Sequence, residues 1–284
     1  MRILLFGSTG MLGTAVELIC KHSGIDYIGL DHSSIDITDF KAAQKLIDRY
    51  SPDVVINSVA IIGINICESN PIQAFNVNSF AVYHMARYCA LKKIIFVQPS
   101  SHAVFDGLKN GYYTEEDLPA PLNIYSSSKY LAEILTINLC KRYYVVRFPT
   151  MFGVRRNKNL GFVDKVIEKV RKGEELKIAD DKIDSMTYAL DVAGQLITML
   201  KRQMPYGVYH LANTGIVSYY DFVKKLIDLL GVDARLIRAK DSDFPALGYK
   251  PLKTAMRSIK LEPMRSWEDA LSEYVEDCLE QEEI

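Results

Sequence analysis

Apolar and polar positions follow two rhythms along the chain. Residues 2–6 (RILLF) are a short apolar run that stops at a glycine turn, and residues 11–21 then carry apolar side chains at helical spacing. Residues 27–30, 53–60, 93–98 and 143–148 repeat the short run. Residues 40–50, residues 71–91 and a segment opening near Tyr125 repeat the helical spacing between them. Strand runs that are apolar on both faces and alternate with helices predict a parallel sheet covered on both sides. The pattern therefore predicts an α/β fold, a doubly wound sheet of Rossmann type. Beyond Phe148 the rhythm loosens. Residues 160–173 read as a helix with a glycine stop, residues 187–202 as another, and residues 218–231 as a third with a serine cap and Gly231 at its end. Residues 207–212 read as a late strand of the main sheet, and Pro245, Pro251 and Pro263 break up the tail.

A length of 284 residues accommodates a full α/β core and a smaller second unit. With 34 basic and 35 acidic residues the chain lacks the basic excess of a nucleic-acid binder. No apolar run is long enough to span a bilayer, and the N-terminal run lacks the features of a signal peptide, so a cytoplasmic protein is expected. Cys20, Cys67, Cys89, Cys140 and Cys278 are scattered without a CxxC pair, which suits free thiols in a reducing compartment. The five histidines show no ligand spacing, so no metal is expected.

Gly7, Gly10 and Gly13, in GSTGMLG, fall between the first strand and the first helix. Gly7 permits the tight turn, Gly10 lets the backbone approach a pyrophosphate, and Gly13 lets helix and strand pack closely. Free amides and the helix dipole then face the phosphates. Thr9, Met11 and Leu12 belong to the same turn and join the expected cofactor-binding set. The second strand ends at Asp31, where a carboxylate accepts hydrogen bonds from the adenosine ribose and repels a 2′-phosphate. His32, Ser33 and Ser34 beside it are donors that suit a phosphate. The balance favours NADH within a general expectation of NAD(P)H. Asp36 is the candidate for the adenine edge, with Ile37 beside it; its alternative role is to cap the next helix, which Asp39 can fill as well.

Ser100 and Ser101 follow the fourth strand, at the sheet edge where this fold binds ligands. Tyr125 and Lys129 stand four apart at the start of the next helix, on one face. Reducing a ketone by hydride needs an acid for the nascent alkoxide, and an ordinary tyrosine, with a pKa of about 10, exchanges protons slowly at neutral pH. A lysine ammonium at about 4 Å, in an effective dielectric of about 20, favours the phenolate by about 4 kcal/mol, or roughly three pKa units. The expected trio is Ser101 on the carbonyl, Tyr125 as acid and Lys129 tuning it and binding the nicotinamide ribose. A hydroxyl after the fourth strand together with Tyr-x-x-x-Lys resembles the short-chain dehydrogenase/reductases from Gly7 to about Phe152.

The segments PDVVINSVA, CESNPIQAFNVN, SSHAVFDG, YYTEEDLPAPLNIYSSSK and VYHLANTGIVSYYDF resemble the dTDP-4-dehydrorhamnose reductase family over most of the chain. The resemblance implies the extended, nucleotide-sugar branch, a reduced nicotinamide cofactor, a 4-keto-sugar substrate and a homodimer. By position, Ser101 matches the family's catalytic hydroxyl, Tyr125 and Lys129 its tyrosine and lysine, and Ala60 and Asn78 positions that line the cofactor and support the site. Residues 1–150 are then the dinucleotide-binding unit, to which the chain returns at about residues 188–213, with residues 151–187 and 214–284 as the smaller substrate-binding unit.

Departures cluster on the sugar side. The family's Thr-Asp-Tyr becomes Ser101-His102-Ala103, the glycine after its tyrosine becomes Ser126, a tryptophan after the fifth strand becomes Thr150, its Gly-x-Pro-Thr becomes Asp184-Ser185-Met186-Thr187, and an Arg-Pro becomes Lys250-Pro251. A related reaction on a different nucleotide sugar is expected, with Ser101, His102 and Lys250 as substrate-binding candidates. His102 suits proton transfer or a sugar contact, or else fills the space left by Ala103. Arg155 and Arg156 suit the diphosphate of the substrate or a solvated loop. A dehydratase is disfavoured, because those relatives carry an Asp-Glu pair where this chain has His102-Ala103. A reductase that also epimerises needs a further acid/base pair, for which His102 with Cys140 or Cys67 are the candidates. A non-catalytic regulatory subunit, like that of methionine adenosyltransferase, is the alternative of another class; the intact Ser101, Tyr125 and Lys129 speak for the enzyme.

Overall fold

The structure, a computed structural model, describes residues 1–157 and 160–282; residues 158–159 and the last two residues of the expected smaller unit lie outside the described residues. Strand β1 (Arg2–Phe6) sits inside the sheet, with Ile3, Leu4, Leu5 and Phe6 all sealed from solvent. Such complete burial requires cover on both faces, which an unbroken apolar run is suited to. β2 (Asp26–Leu30) pairs on one side of β1 and β3 (Val54–Asn57) on the other. β4 (Ile95–Pro99), β5 (Tyr143–Arg147) and the strand Gly207–His210 follow outward, giving one parallel six-stranded sheet. The chain reverses its direction of travel between β1 and β3, and a crevice for ligands opens at the carboxyl ends of strands at such a switch point.

Helix α1 (Met11–His22) and the helix Ala189–Lys201 cover one face through Leu12, Val16, Val192 and Leu196. Helix α2 (Phe40–Tyr50) and the helices Ala81–Lys92 and Ile124–Leu139 cover the other through Ile47, Val82, Met85 and Ala132. The helical run over residues 71–91 is interrupted by a π-helical turn, Asn76–Phe80. Its wider turn suits two buried polar residues: Ser79 Oγ donates to the Ser128 carbonyl at 2.7 Å, and Asn78 Nδ2 to Ser128 Oγ at 3.0 Å. The third strand is shorter than its apolar run suggests, ending at Asn57, and the fourth starts only at Ile95 because Lys93 closes the preceding helix in the left-handed region at φ +59°.

A separate apolar core forms around Phe152, Tyr188, Phe222, Trp267 and Leu271. Phe152 and Tyr188 stack at 5.4 Å, joining the two short strands Met151–Phe152 and Thr187–Tyr188. Phe152→Ala should destabilise the protein by about 3–5 kcal/mol in a urea titration, the cost of a large cavity in a sealed core.

Candidate active site

Gly7 leaves β1 at φ +82°, and a Cβ there would meet the Ser58 carbonyl carbon at 2.9 Å. At Gly13 a Cβ would collide with the Gly7 carbonyl oxygen and lie 2.8 Å from Ser8 Cα. Gly10 differs: a Cβ there would make only ordinary contacts, 3.5 Å from the Gly7 carbonyl oxygen and 3.9 Å from Asn157 Nδ2. Two glycines thus bring helix and strand together, and the third leaves a cradle at the first amides of α1, which fits a dinucleotide diphosphate. Met11 is partly buried and opens α1, whereas the Leu12 side chain lies in the core, as does Ile37. Their apolar side chains are therefore committed to the core, which leaves the backbone of each residue as the part that can meet a cofactor.

Asp31 accepts from the hydroxyls of Ser33 and Ser34, both at 2.7 Å, and from the Ser34 amide at 3.0 Å. These donors hold its carboxyl well below the usual range, at about 2, and they commit the two serines that a phosphate would need. Asp36 accepts from the Thr38 hydroxyl at 2.7 Å and amide at 2.9 Å, while Asp39 caps α2. The two acids therefore divide the capping work, and Asp36 shapes the loop beside the candidate adenine site. Ala60 is partly buried just beyond β3. Asn78 exchanges two hydrogen bonds with Ile61, at 2.8 and 2.9 Å, so it fixes the loop after β3 to the Tyr125 helix.

Ser101 is buried at the end of β4 and hydrogen-bonds Tyr125; its Oγ also accepts from the Ala103 amide at 3.1 Å. The helix carrying Tyr125 starts with a capping box, in which Asn123 accepts from the Ser126 amide and Ser126 from the Asn123 amide. Ser126, where the family has glycine, is thus part of the device that starts the helix. Burial pushes the Tyr125 hydroxyl up to about 12, with the Ser101 hydrogen bond pulling it back only in part. Lys129 does not offset this: its Nζ donates to the Pro99 carbonyl at 2.7 Å. The expected depression of the tyrosine is therefore absent, because the ammonium is directed at the end of β4. Burial lowers Lys129 itself to about 8, against the opposing charge of Glu133.

Glu133 is fully buried and grips Arg147 in a bidentate pair at 2.9 and 2.6 Å, while accepting from Ser100 Oγ. Arg147 continues to His210 Nε2 at 3.5 Å, and His210 Nδ1 donates to the Arg257 carbonyl at 3.1 Å. Burial takes His210 down to about 4, so the ring is neutral at pH 7, consistent with those two bonds. Glu133 escaped the sequence reading, although Tyr125, Lys129 and Glu133 continue one helical face at four-residue spacing.

His102 Nδ1 lies 2.9 and 3.0 Å from the two oxygens of Asp184, which is completely buried and also accepts from the Thr150 amide at 3.0 Å. Thr150 Oγ1 in turn meets the Tyr219 hydroxyl at 2.6 Å. Tyr219 lines a cleft of about 490 Å³ with Phe162, Phe244, Lys182, Lys250 and the start of the short helix Ile64–Ser69. Lys250 donates to Asp241 at 2.6 Å on its wall. Arg155 and Arg156 line neither this cleft nor its rim. Arg155 pairs with Asp164 at 3.2 Å, and Arg156 with Glu17 and the Ser8 carbonyl, above the glycine turn. Cys140, under the far end of the helix, is buried against the Arg142 carbonyl and so is no partner for His102. Among the described residues no cluster has the makings of a metal site, and no helix is long and apolar enough to cross a membrane.

A parallel doubly wound sheet, a glycine cradle before its first helix and a Ser–Tyr–Lys set at the ends of β4 and the next helix define a dinucleotide-binding protein of the short-chain dehydrogenase/reductase class. The model of the RmlD substrate binding domain matches residues 1–280, and the chain belongs to that family. It is 27% identical over 281 residues to the spore coat polysaccharide biosynthesis protein SpsK of Bacillus subtilis, with 97% of each chain covered. The solved dTDP-4-dehydrorhamnose reductase ortholog of Clostridium acetobutylicum superposes with a TM-score of 0.92 at 28% identity, over 99% of this chain and 100% of that one. The reductase of Bacillus anthracis, solved in complex with NADP, gives a TM-score of 0.92 at 25% identity, over 97% and 99%.

Glu133→Gln removes the charge that supports the Lys129 ammonium. Lys129 is charged below about pH 8 and neutral above it, so the variant should lose NADH affinity at lower pH than the wild type. Fluorescence titrations of NADH across pH 6–10 check the direction of the shift.

Proposed function

We propose that the protein is an NAD(P)H-dependent oxidoreductase that reduces the 4-keto group of a nucleotide-activated deoxysugar, in surface polysaccharide or deoxysugar biosynthesis. The observation that carries this reading is the Ser101 hydroxyl bonded to Tyr125, with Lys129 one turn on, beside an aromatic and lysine-lined cleft. When bound, the cofactor supplies the hydride. The cradle around Gly7, Thr9 and Gly10 and the acid at Asp31 hold its diphosphate and adenosine ribose, with Ala60 along its wall and Asn78 bracing the loop. Ser101 donates to the keto oxygen. Tyr125, kept protonated at neutral pH by its burial, gives its proton to that oxygen as it becomes an alkoxide. Lys129 retains its charge at neutral pH and favours the negative oxygen.

In the cleft, Phe162, Tyr219 and Phe244 offer surfaces for a nucleotide base, and Lys182 and Lys250 charges for its diphosphate. Residues 1–150 with the return at about residues 188–213 form the dinucleotide-binding unit, and residues 151–187 and 214–284 the substrate-binding unit. The separate core around Phe152 and Trp267 supports this division. A homodimer and a cytoplasmic location complete the reading.

NADH and NADPH consumption with enzymatically generated dTDP-, GDP-, CDP- and UDP-4-keto-deoxysugars tests the proposal. Turnover with one of them is expected, and Tyr125→Phe should lower kcat by roughly 10²–10⁴-fold with cofactor affinity retained. Tight cofactor binding without turnover of any sugar would sink it. The ionised Asp31 supports NADH as the preferred donor. Asp31→Ser should move the kcat/KM ratio towards NADPH by roughly tenfold, since a 2′-phosphate then meets hydroxyls in place of a carboxylate.

A further inference from the structure

His102, Thr150 and Asp184 are three of the positions at which the chain departs from the pattern of its family, and the fold joins them. Asp184 is completely buried, and it is surrounded by donors: His102 Nδ1, the Thr150 amide and the Ser185 amide at 2.9 Å. Burial pushes its carboxyl up, and His102, by its charge when protonated and by its hydrogen bond, together with the hydrogen bonds of Thr150 more than reverses this. An ionised carboxylate on Nδ1 keeps a proton on that nitrogen, so whenever the ring is neutral its lone pair is on Nε2. Nε2 makes no hydrogen bond among the described residues, and the side chain keeps 16% of its surface exposed. His102 directly follows Ser101, and Asp184 leads through Thr150 to Tyr219 in the cleft. His102 thus adjoins in sequence the group that holds the keto oxygen, and its carboxylate partner is hydrogen-bonded through Thr150 to a residue that lines the cleft.

We propose that His102 and Asp184 form a second acid/base pair, which exchanges a proton on a carbon flanking the keto group. The idea rests on the reductase reading, in which Ser101 and Tyr125 donate to the keto oxygen. Those donors acidify the adjacent C–H bond, because they also stabilise the enolate oxygen that its loss creates. His102 Nε2 takes the proton, the C–H electron pair becomes the carbon–carbon double bond of the enolate, and the carbonyl pair moves onto oxygen. Asp184 stabilises the imidazolium without taking its proton. In the return step the enolate pair re-forms the C–H bond with a proton from Nε2. No electrons are gained or lost, so neither oxidant nor reductant is needed, and Tyr125 remains the acid of the reduction.

The test uses the full chain with NAD⁺, D2O and the sugar that the wild type reduces among the dTDP-, GDP-, CDP- and UDP-4-keto-deoxysugars, with deuterium on the sugar followed by mass spectrometry against an enzyme-free control. Wild type should introduce deuterium well above that control. His102→Gln and Asp184→Asn should slow the exchange by roughly 100-fold or more, with cofactor affinity unchanged. His102 is partly exposed, so His102→Gln reports on the chemistry even where the buried Asp184→Asn fails to fold. If the wild type reduces this sugar with NADH or NADPH but introduces no deuterium, or if His102→Gln exchanges at the wild-type rate, the second acid/base pair is overturned and the reductase reading stands. If no keto sugar is reduced, the reductase reading falls and this proposal falls with it.

Discussion

One buried ion pair ties the reactive end of the molecule together. Glu133, on the helix of Tyr125 and Lys129, and Arg147, at the end of β5, meet through two hydrogen bonds with both groups out of water. Two buried charges are tolerated only when each is fully engaged, and breaking such a pair by removing one partner costs about 3–5 kcal/mol. Here the remaining valences are taken up by Ser100 at the end of β4 and His210 at the end of the last strand. Three adjacent strands of the sheet edge are thereby locked to one helix face. That lock determines where Lys129 can reach, and the Pro99 carbonyl is what it reaches.

The same edge is built to lose little on binding a ligand. Asn78 pins the loop after β3, Asn123 and Ser126 start the helix, and the Ile124 amide is held by Glu68 at 2.9 Å. Positioned donors of this kind do not have to reorganise as charge develops on the substrate, which is where electrostatic catalysis gains most. On the sugar side the positioning is carried by different residues from those the family pattern supplies. A tryptophan and a glycine are replaced by Thr150 and Asp184, and both replacements find partners in one hydrogen-bonded chain.

Much of the dinucleotide end was legible in the residues. The spacing of Gly7, Gly10 and Gly13 suits close backbone approach, and at Gly7 and Gly13 a Cβ is excluded. Apolar runs gave the strands to within a few residues, because complete burial on two faces leaves no room for polar alternation. Turn position alone does not say whether a side chain points to ligand or core, and the side chains of Leu12 and Ile37 point to the core. For Arg155 and Arg156 charge alone left a substrate diphosphate and a solvated loop open, and Asp164 and Glu17, one of them far away in the chain, pair with them.

Local spacing by itself determined the strand and helix runs, the phosphate turn and the placing of Tyr125 and Lys129 on one helix face, since each depends on residues within a few positions of one another. The tertiary structure alone decided the charge environment. Tyr125 is raised by burial and Lys129 lowered by it, and Asp184 meets His102 across 82 positions of chain. Desolvation and long-range pairing depend on what the folded chain brings alongside a group, and no window of sequence contains that information.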